Sequence, residues 1–81
     1  MKAFEVLCEW DSEAEVWYVS KSDVPGLAAD AKTVEKLNEK LAVMIPELLV
    51  LNGVIGGRDN KHLEVPYELL ARKHAIATVG C

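Results

Sequence analysis

A chain of 81 residues, 51% apolar and 27% charged, has the composition of one ordinary globular domain, and at this size it buries only about 60% of its unfolded surface. The formal charge of −4 arises from 13 acids against 9 scattered bases, which argues against the concentrated basic face that phosphate binding needs, so no direct nucleic-acid partner is expected. The longest apolar run, Leu41 to Leu51, contains Pro46 and Glu47 and falls short of the roughly 20 residues of a membrane span, so no membrane partner is expected either.

The opening residues Met1-Lys2-Ala3-Phe4-Glu5 pass straight into a charged alternating pattern without the apolar stretch of a signal peptide, and a cytoplasmic location is the expectation. Cys8 lies in an apolar run and Cys81 far from it, a poor basis for a disulfide framework. Cys8 reads as a small buried hydrophobe and Cys81 as an exposed thiol.

Phe4, Val6, Cys8 and Trp10 alternate with Glu5 and Glu9, the period-two signature of a half-buried strand. Residues 11–15 lack any apolar period, and Val16-Trp17-Tyr18-Val19-Ser20 is rich in strand-favouring side chains, so the two runs predict a hairpin. Trp17 and Tyr18 must point to opposite faces; one of them, with Trp10, is expected in the core. Asp23-Val24-Pro25-Gly26 predicts a tight turn and Leu27 to Ala31 a short third strand.

Thr33 is a good N-cap, Glu35 suits the first helical turn, and Val34, Leu37, Leu41, Met44, Ile45 and Leu48 recur at helical spacing. Pro46 removes a donor and predicts a kink or break, and Asn52-Gly53 a stop. Residues 54–63 read as a loop. From Val65, alternation through Tyr67, Leu69 and Ala71 predicts a fourth strand, with a short helical turn as the competing reading; the apolar stretch Ala75 to Val79 could extend it or dock on another chain. The whole is a single α+β domain over residues 1–81, a two-layer β-β-β-α-β arrangement in which a right-handed crossover sets the fourth strand parallel to its neighbour.

The runs EWDSEAEVWYVSKS (Glu9 to Ser22) and DVPGLAADAKTVEKLNEKL (Asp23 to Leu41) resemble the HicB-like antitoxin families, which include a related small family of uncharacterised function. The likeness spans Phe4 to about Asn52 and rests on the acidic turn before a Trp/Tyr strand, the Pro25 to Leu27 turn and Thr33 opening the helix. Val65-Pro66 before the last strand is also similar. The resemblance implies a partial ribonuclease-H-like fold and a protein that neutralises a small basic mRNA-cleaving toxin. The full-length antitoxins carry a DNA-binding segment after this domain, and nothing after Val65 is expected to supply one.

No catalytic, cofactor-binding or metal-binding residue is assigned. A two-metal nuclease would need several of Glu5, Glu9, Asp11, Asp30 and Asp59 to converge, although an acid every few residues is also what a solvated face gives. His62 and His74 have no partner at metal-ligand spacing, and Gly53 to Gly57 lacks the Lys-Ser/Thr ending of a phosphate loop. Two partner surfaces are expected. Glu9, Asp11, Glu13 and Glu15 form an acidic tip suited to steering a basic toxin, with simple solvation as the alternative. Val43, Pro46 and Val50 on the helix, with Ile76 and Val79 beyond the last strand, suggest a homodimer or higher oligomer, because Val43 and Val50 share a stripe opposite the sheet-facing one. The alternative is that residues 54–63 cover those valines.

Overall fold

The computed structural model describes residues 3–53 and 64–80. Four strands and one helix follow in the order β1 (Phe4–Asp11), β2 (Val16–Ser22), β3 (Asp30–Ala31), α1 (Val34–Leu51) and β4 (Tyr67–Arg72). They form one sheet of order β3-β2-β1-β4, antiparallel at β1/β2 and β2/β3 and parallel at β1/β4. The expected α+β domain is therefore the observed one, with the fourth strand returning parallel beside the first.

Alternation along β1 puts Val6 and Cys8 into the layer beneath the helix, where both are fully buried. The opposed residues on β4, Leu69 and Ala71, share that face, as does Val19 of β2. From the helix, Leu37, Leu41, Ile45 and Leu49 are buried completely, while Leu48 only packs against the rim of the core. The sheet-facing row runs at intervals of four residues, an inclined ridge across the helix surface, and this places Leu49 where the sequence spacing put Leu48.

Three local features differ in extent from expectation. The third strand is shorter than Leu27 to Ala31: its ladder begins where the Val19 amide donates to the Ala29 carbonyl at 3.1 Å, and regular strand covers only Asp30–Ala31. The helix does not break at Pro46 but runs on to Leu51. The carbonyl that loses its partner there belongs to Ala42, one turn back on the exposed side, where water can satisfy it. The fourth strand starts at Tyr67, after Pro66, whose carbonyl accepts from the Phe4 amide at 3.1 Å. It ends at Arg72, so residues 75–79 do not extend it within the chain.

The helix ends conform to the sequence reading. The Thr33 hydroxyl accepts from the Lys36 amide at 3.1 Å, and Asn52 closes the other end, its side-chain amide donating to the Leu48 carbonyl at 2.8 Å and reaching the Pro25 carbonyl at 3.5 Å. Gly53 follows with φ +73. The turn after β2 carries a Leu27 amide to Val24 carbonyl bond of 3.3 Å with Gly26 at φ +75, the backbone region that glycine enters without cost. Val24 is thereby folded into the core.

Candidate binding surfaces

With α1 on one face, the other face of the sheet has no described element over it. Strand alternation and register set its rows. Asp30, Tyr18, Glu9 and Arg72 stand side by side across all four strands, and Lys21, Leu7 and Leu70 form the neighbouring row, with Glu5 beside Glu68 beyond it. Ser20 is the extra residue of a bulge between these rows, and its hydroxyl is shared between the Leu7 carbonyl, at 3.2 Å, and the Glu9 carboxylate. Tyr18 is 38% and Leu70 46% exposed on this face.

A shallow depression of about 180 Å³ opens on this face, floored by Leu7 and Leu70 and rimmed by Glu5, Lys21, Ser22 and Asp23. Its wall is fixed by a reciprocal pair: the Asp23 carboxylate accepts from the Glu5 amide, and the Asp23 amide donates to the Glu5 carbonyl, both at 2.9 Å. The depression therefore joins an apolar floor to a charged rim in which Glu5 and Asp23 stand with Lys21.

The four acids of the expected tip do not act as one cluster. Glu9 lies on the open sheet face and pairs with Arg72 at 3.3 Å. Its carboxyl titrates below its usual value because of the Ser20 hydroxyl first, and then, against desolvation, the Arg72 and His74 charges. Asp11 is turned inward on its own loop, accepting from the Glu13 amide at 2.9 Å and the Ala14 amide at 3.2 Å. Glu13 and Glu15 remain at the exposed tip. The loop closes with a 2.7 Å bond from the Glu15 amide to the Asp11 carbonyl, which puts Glu15 at φ +57. Only Gly, Asn or Asp enter that region readily.

On the helix, Val43 is 62% and Val50 42% exposed, as their position opposite the sheet-facing stripe requires, and Leu51 is also exposed. Pro46 lies half-buried between them. Beyond β4 every residue from Lys73 to Gly80 is exposed, with Ile76 at 94% and Val79 at 91%.

The acids that a nuclease would need are spread out. Glu9 and Asp30 share a row with Tyr18 standing between them, roughly two strand spacings of 4.8 Å apart. Glu5 belongs to the Asp23 wall, and Asp59 lies outside the described residues, as do His62, Cys81 and residues 54–57 of the glycine-rich stretch. Among the described residues, no group of three or more His, Cys, Asp or Glu side chains is placed to hold a metal ion. Cys8 is a buried free thiol whose pKa is pushed up by desolvation, and it packs as an apolar side chain. No described helix is long and apolar enough to cross a membrane.

A four-stranded sheet covered on one face by a single helix defines a small two-layer α+β domain. The chain belongs to the family described as a domain of unknown function (DUF1902), which matches residues 3–79. It is similar to a hypothetical protein of the extremely thermophilic bacterium Thermus thermophilus known from its crystal structure, with 44% identity over 96% of this chain and 100% of that one and a TM-score of 0.67. No curated protein matches it.

The sequence singled out the hairpin acids and the helix valines, but not the open face. Its components come from positions as distant as Leu7 and Leu70, and only the parallel pairing of β1 with β4 unites them. The one signal available was the alternation itself, which sends Glu5, Leu7 and Glu9 away from the core together.

Proposed function

We propose that this chain is an antitoxin-like binding domain that neutralises a small basic mRNA-cleaving protein by direct contact. The observation that carries the reading is the uncovered sheet face, where Leu7, Leu70 and Tyr18 are set among the acids Glu5, Glu9, Asp23, Asp30 and Glu68, which outnumber the bases Lys21 and Arg72. Apolar contacts within a face of net negative charge suit a cationic partner: the excess of acids speeds encounter and the apolar centre holds it. The resemblance of Glu9 to Leu41 to HicB-like antitoxins supports the same reading. So does Glu15, because a glutamate held at φ +57 at the exposed tip costs stability that a glycine would not.

The test is a small basic protein encoded beside this chain's gene. Purified together, the two are expected to form a stoichiometric complex in which RNA cleavage is lost, and reversing Glu13 and Glu15 to Lys should slow association at low salt. RNA cleavage that continues under saturating amounts of this chain would overturn the proposal.

A further inference from the structure

We infer that two copies of this chain join edge to edge, by antiparallel pairing of residues 67–80 of one copy with the same residues of the other. The pairing shares Leu70 with the proposed toxin-binding face, but it is tested on the chain alone, so its failure and the failure of that reading are distinguishable.

In the sheet order β3-β2-β1-β4, β4 is hydrogen-bonded to β1 on one side, and among the described residues no strand occupies the other. Such an edge presents a row of unpaired backbone groups that template a further strand. The chain then continues into residues 73–80, where Ala75-Ile76-Ala77-Thr78-Val79 carries no charge and every residue faces solvent. An unpaired edge and an unpaired apolar segment are thus joined in one stretch, so a second copy supplies what each half lacks.

The register follows from symmetry. A two-fold axis perpendicular to the sheet keeps every residue on its own face, so the axis must pass through a residue and opposed numbers must sum to an even value. With the axis at Lys73, Leu70 opposes Ile76 on the open face, and Tyr67 and Leu69 oppose Val79 and Ala77 on the helix face. Moving the axis to Arg72 sets Ile76 against Glu68, and moving it to His74 sets Ile76 against Arg72. Only the Lys73 axis matches the exposed Leu70 with the exposed Ile76. The cations near the axis are already drawn aside, Arg72 to Glu9 at 3.3 Å and Lys73 over the Trp10 ring at 4.8 Å, which relieves the repulsion that like charges across paired strands would bring.

The area suffices. Residues 73–80 expose roughly 1,100 Å² if an unfolded stretch shows about 1.45 Å² per dalton. Covering half of each of two such segments gives about 1,100 Å² before the β4 edges they lie on are counted, which already passes the roughly 1,000 Å² that a specific interface needs.

Light scattering and sedimentation of the full chain test the state, and disulfide trapping tests the register. A dimer is expected, and Leu70→Asp or Ile76→Asp should each yield a monomer with unchanged circular dichroism, since both side chains are exposed in the single chain. In a Cys81→Ser background, mixing a Leu70→Cys chain with an Ile76→Cys chain should give an oxidised heterodimer, and mixing Leu70→Cys with Thr78→Cys should give far less. A monomer at high micromolar concentration would overturn the inference. So would a dimer that survives both Asp substitutions and yields to Val43→Glu, or preferential trapping of the Thr78 pair.

Discussion

The Lys73 ammonium lies 4.8 Å from the centroid of the Trp10 ring, and Trp10 in turn meets Trp17 edge-on at 5.6 Å. Ala31, Trp17 and Trp10 form one cross-strand row on the helix face, and Lys73 completes it beyond the end of β4. Arg72, one residue earlier, holds Glu9 on the opposite face. The chain leaving β4 thus makes one contact on each side of the sheet, Arg72 with Glu9 and Lys73 with Trp10.

Removing the Lys73 cation should carry a modest cost. Lys73→Ala is expected to lower stability by about 0.5–1 kcal/mol, the worth of an exposed cation–π contact, and Lys73→Arg to retain most of it. Urea denaturation on a Leu70→Asp background, which holds the oligomeric state fixed, measures the difference. Equal stability of the Ala and parent chains would show that the contact contributes nothing.

Glu9 sets a pH dependence whose sign follows from its environment. Its carboxyl is held below the usual value, by the Ser20 hydroxyl foremost and by the Arg72 and His74 charges. A group lowered on folding contributes stability above its unfolded pKa and loses that contribution as the pH falls through its folded one. Stability should therefore decline on the acid side, and Glu9→Gln should make that decline shallower. Nuclear magnetic resonance titration of Ser20→Ala should move the Glu9 carboxyl upward. An unmoved titration would remove Ser20 as the main cause.

Much of this architecture was legible because its signals are local. Alternation from Phe4 to Trp10, the Thr33 cap and the Asn52-Gly53 stop each act within one turn of helix or a few strand residues, and each appears where the sequence put it. The failures are tertiary. Pro46 removes a hydrogen bond locally, but the packing of Leu41, Ile45 and Leu49 carries the helix on to Leu51 without a break, and Ala42, whose carbonyl loses its partner, is exposed. Glu9 looked like part of the tip because it is two residues from Asp11. Strand geometry turns it onto the open face, and Arg72, 63 residues away, claims it there.

Pro46 offers a direct measurement of that tertiary override. Pro46→Ala restores an amide that can donate to Ala42 and removes a residue about 3 kcal/mol less favourable than Ala inside a helix. Because the native helix has already adapted around the ring, part of that gain is absorbed, and a net stabilisation of about 1–2 kcal/mol is expected. Thermal denaturation of the monomeric Leu70→Asp background reads it. A destabilised variant would mean that the half-buried ring contributes more by packing than it costs the backbone.

Glu15 puts fold and binding in opposition. Closing the β1–β2 loop through the Asp11 carbonyl requires φ +57 at residue 15, and a side chain with a Cβ costs on the order of 1 kcal/mol there. Glu15→Gly should therefore stabilise the isolated domain by up to about 1 kcal/mol, the glycine's greater unfolded entropy taking back part of the gain. If the tip steers a basic partner, the same substitution should slow association at low salt and have little effect at high salt, where screening has already removed the advantage. Glu15→Asn separates the two effects, since asparagine tolerates the backbone but lacks the charge: it should match glycine in association rate and fall between glycine and glutamate in stability. A stabilised Glu15→Gly variant that binds a basic partner as fast as the parent chain would assign the strained glutamate no part in recognition.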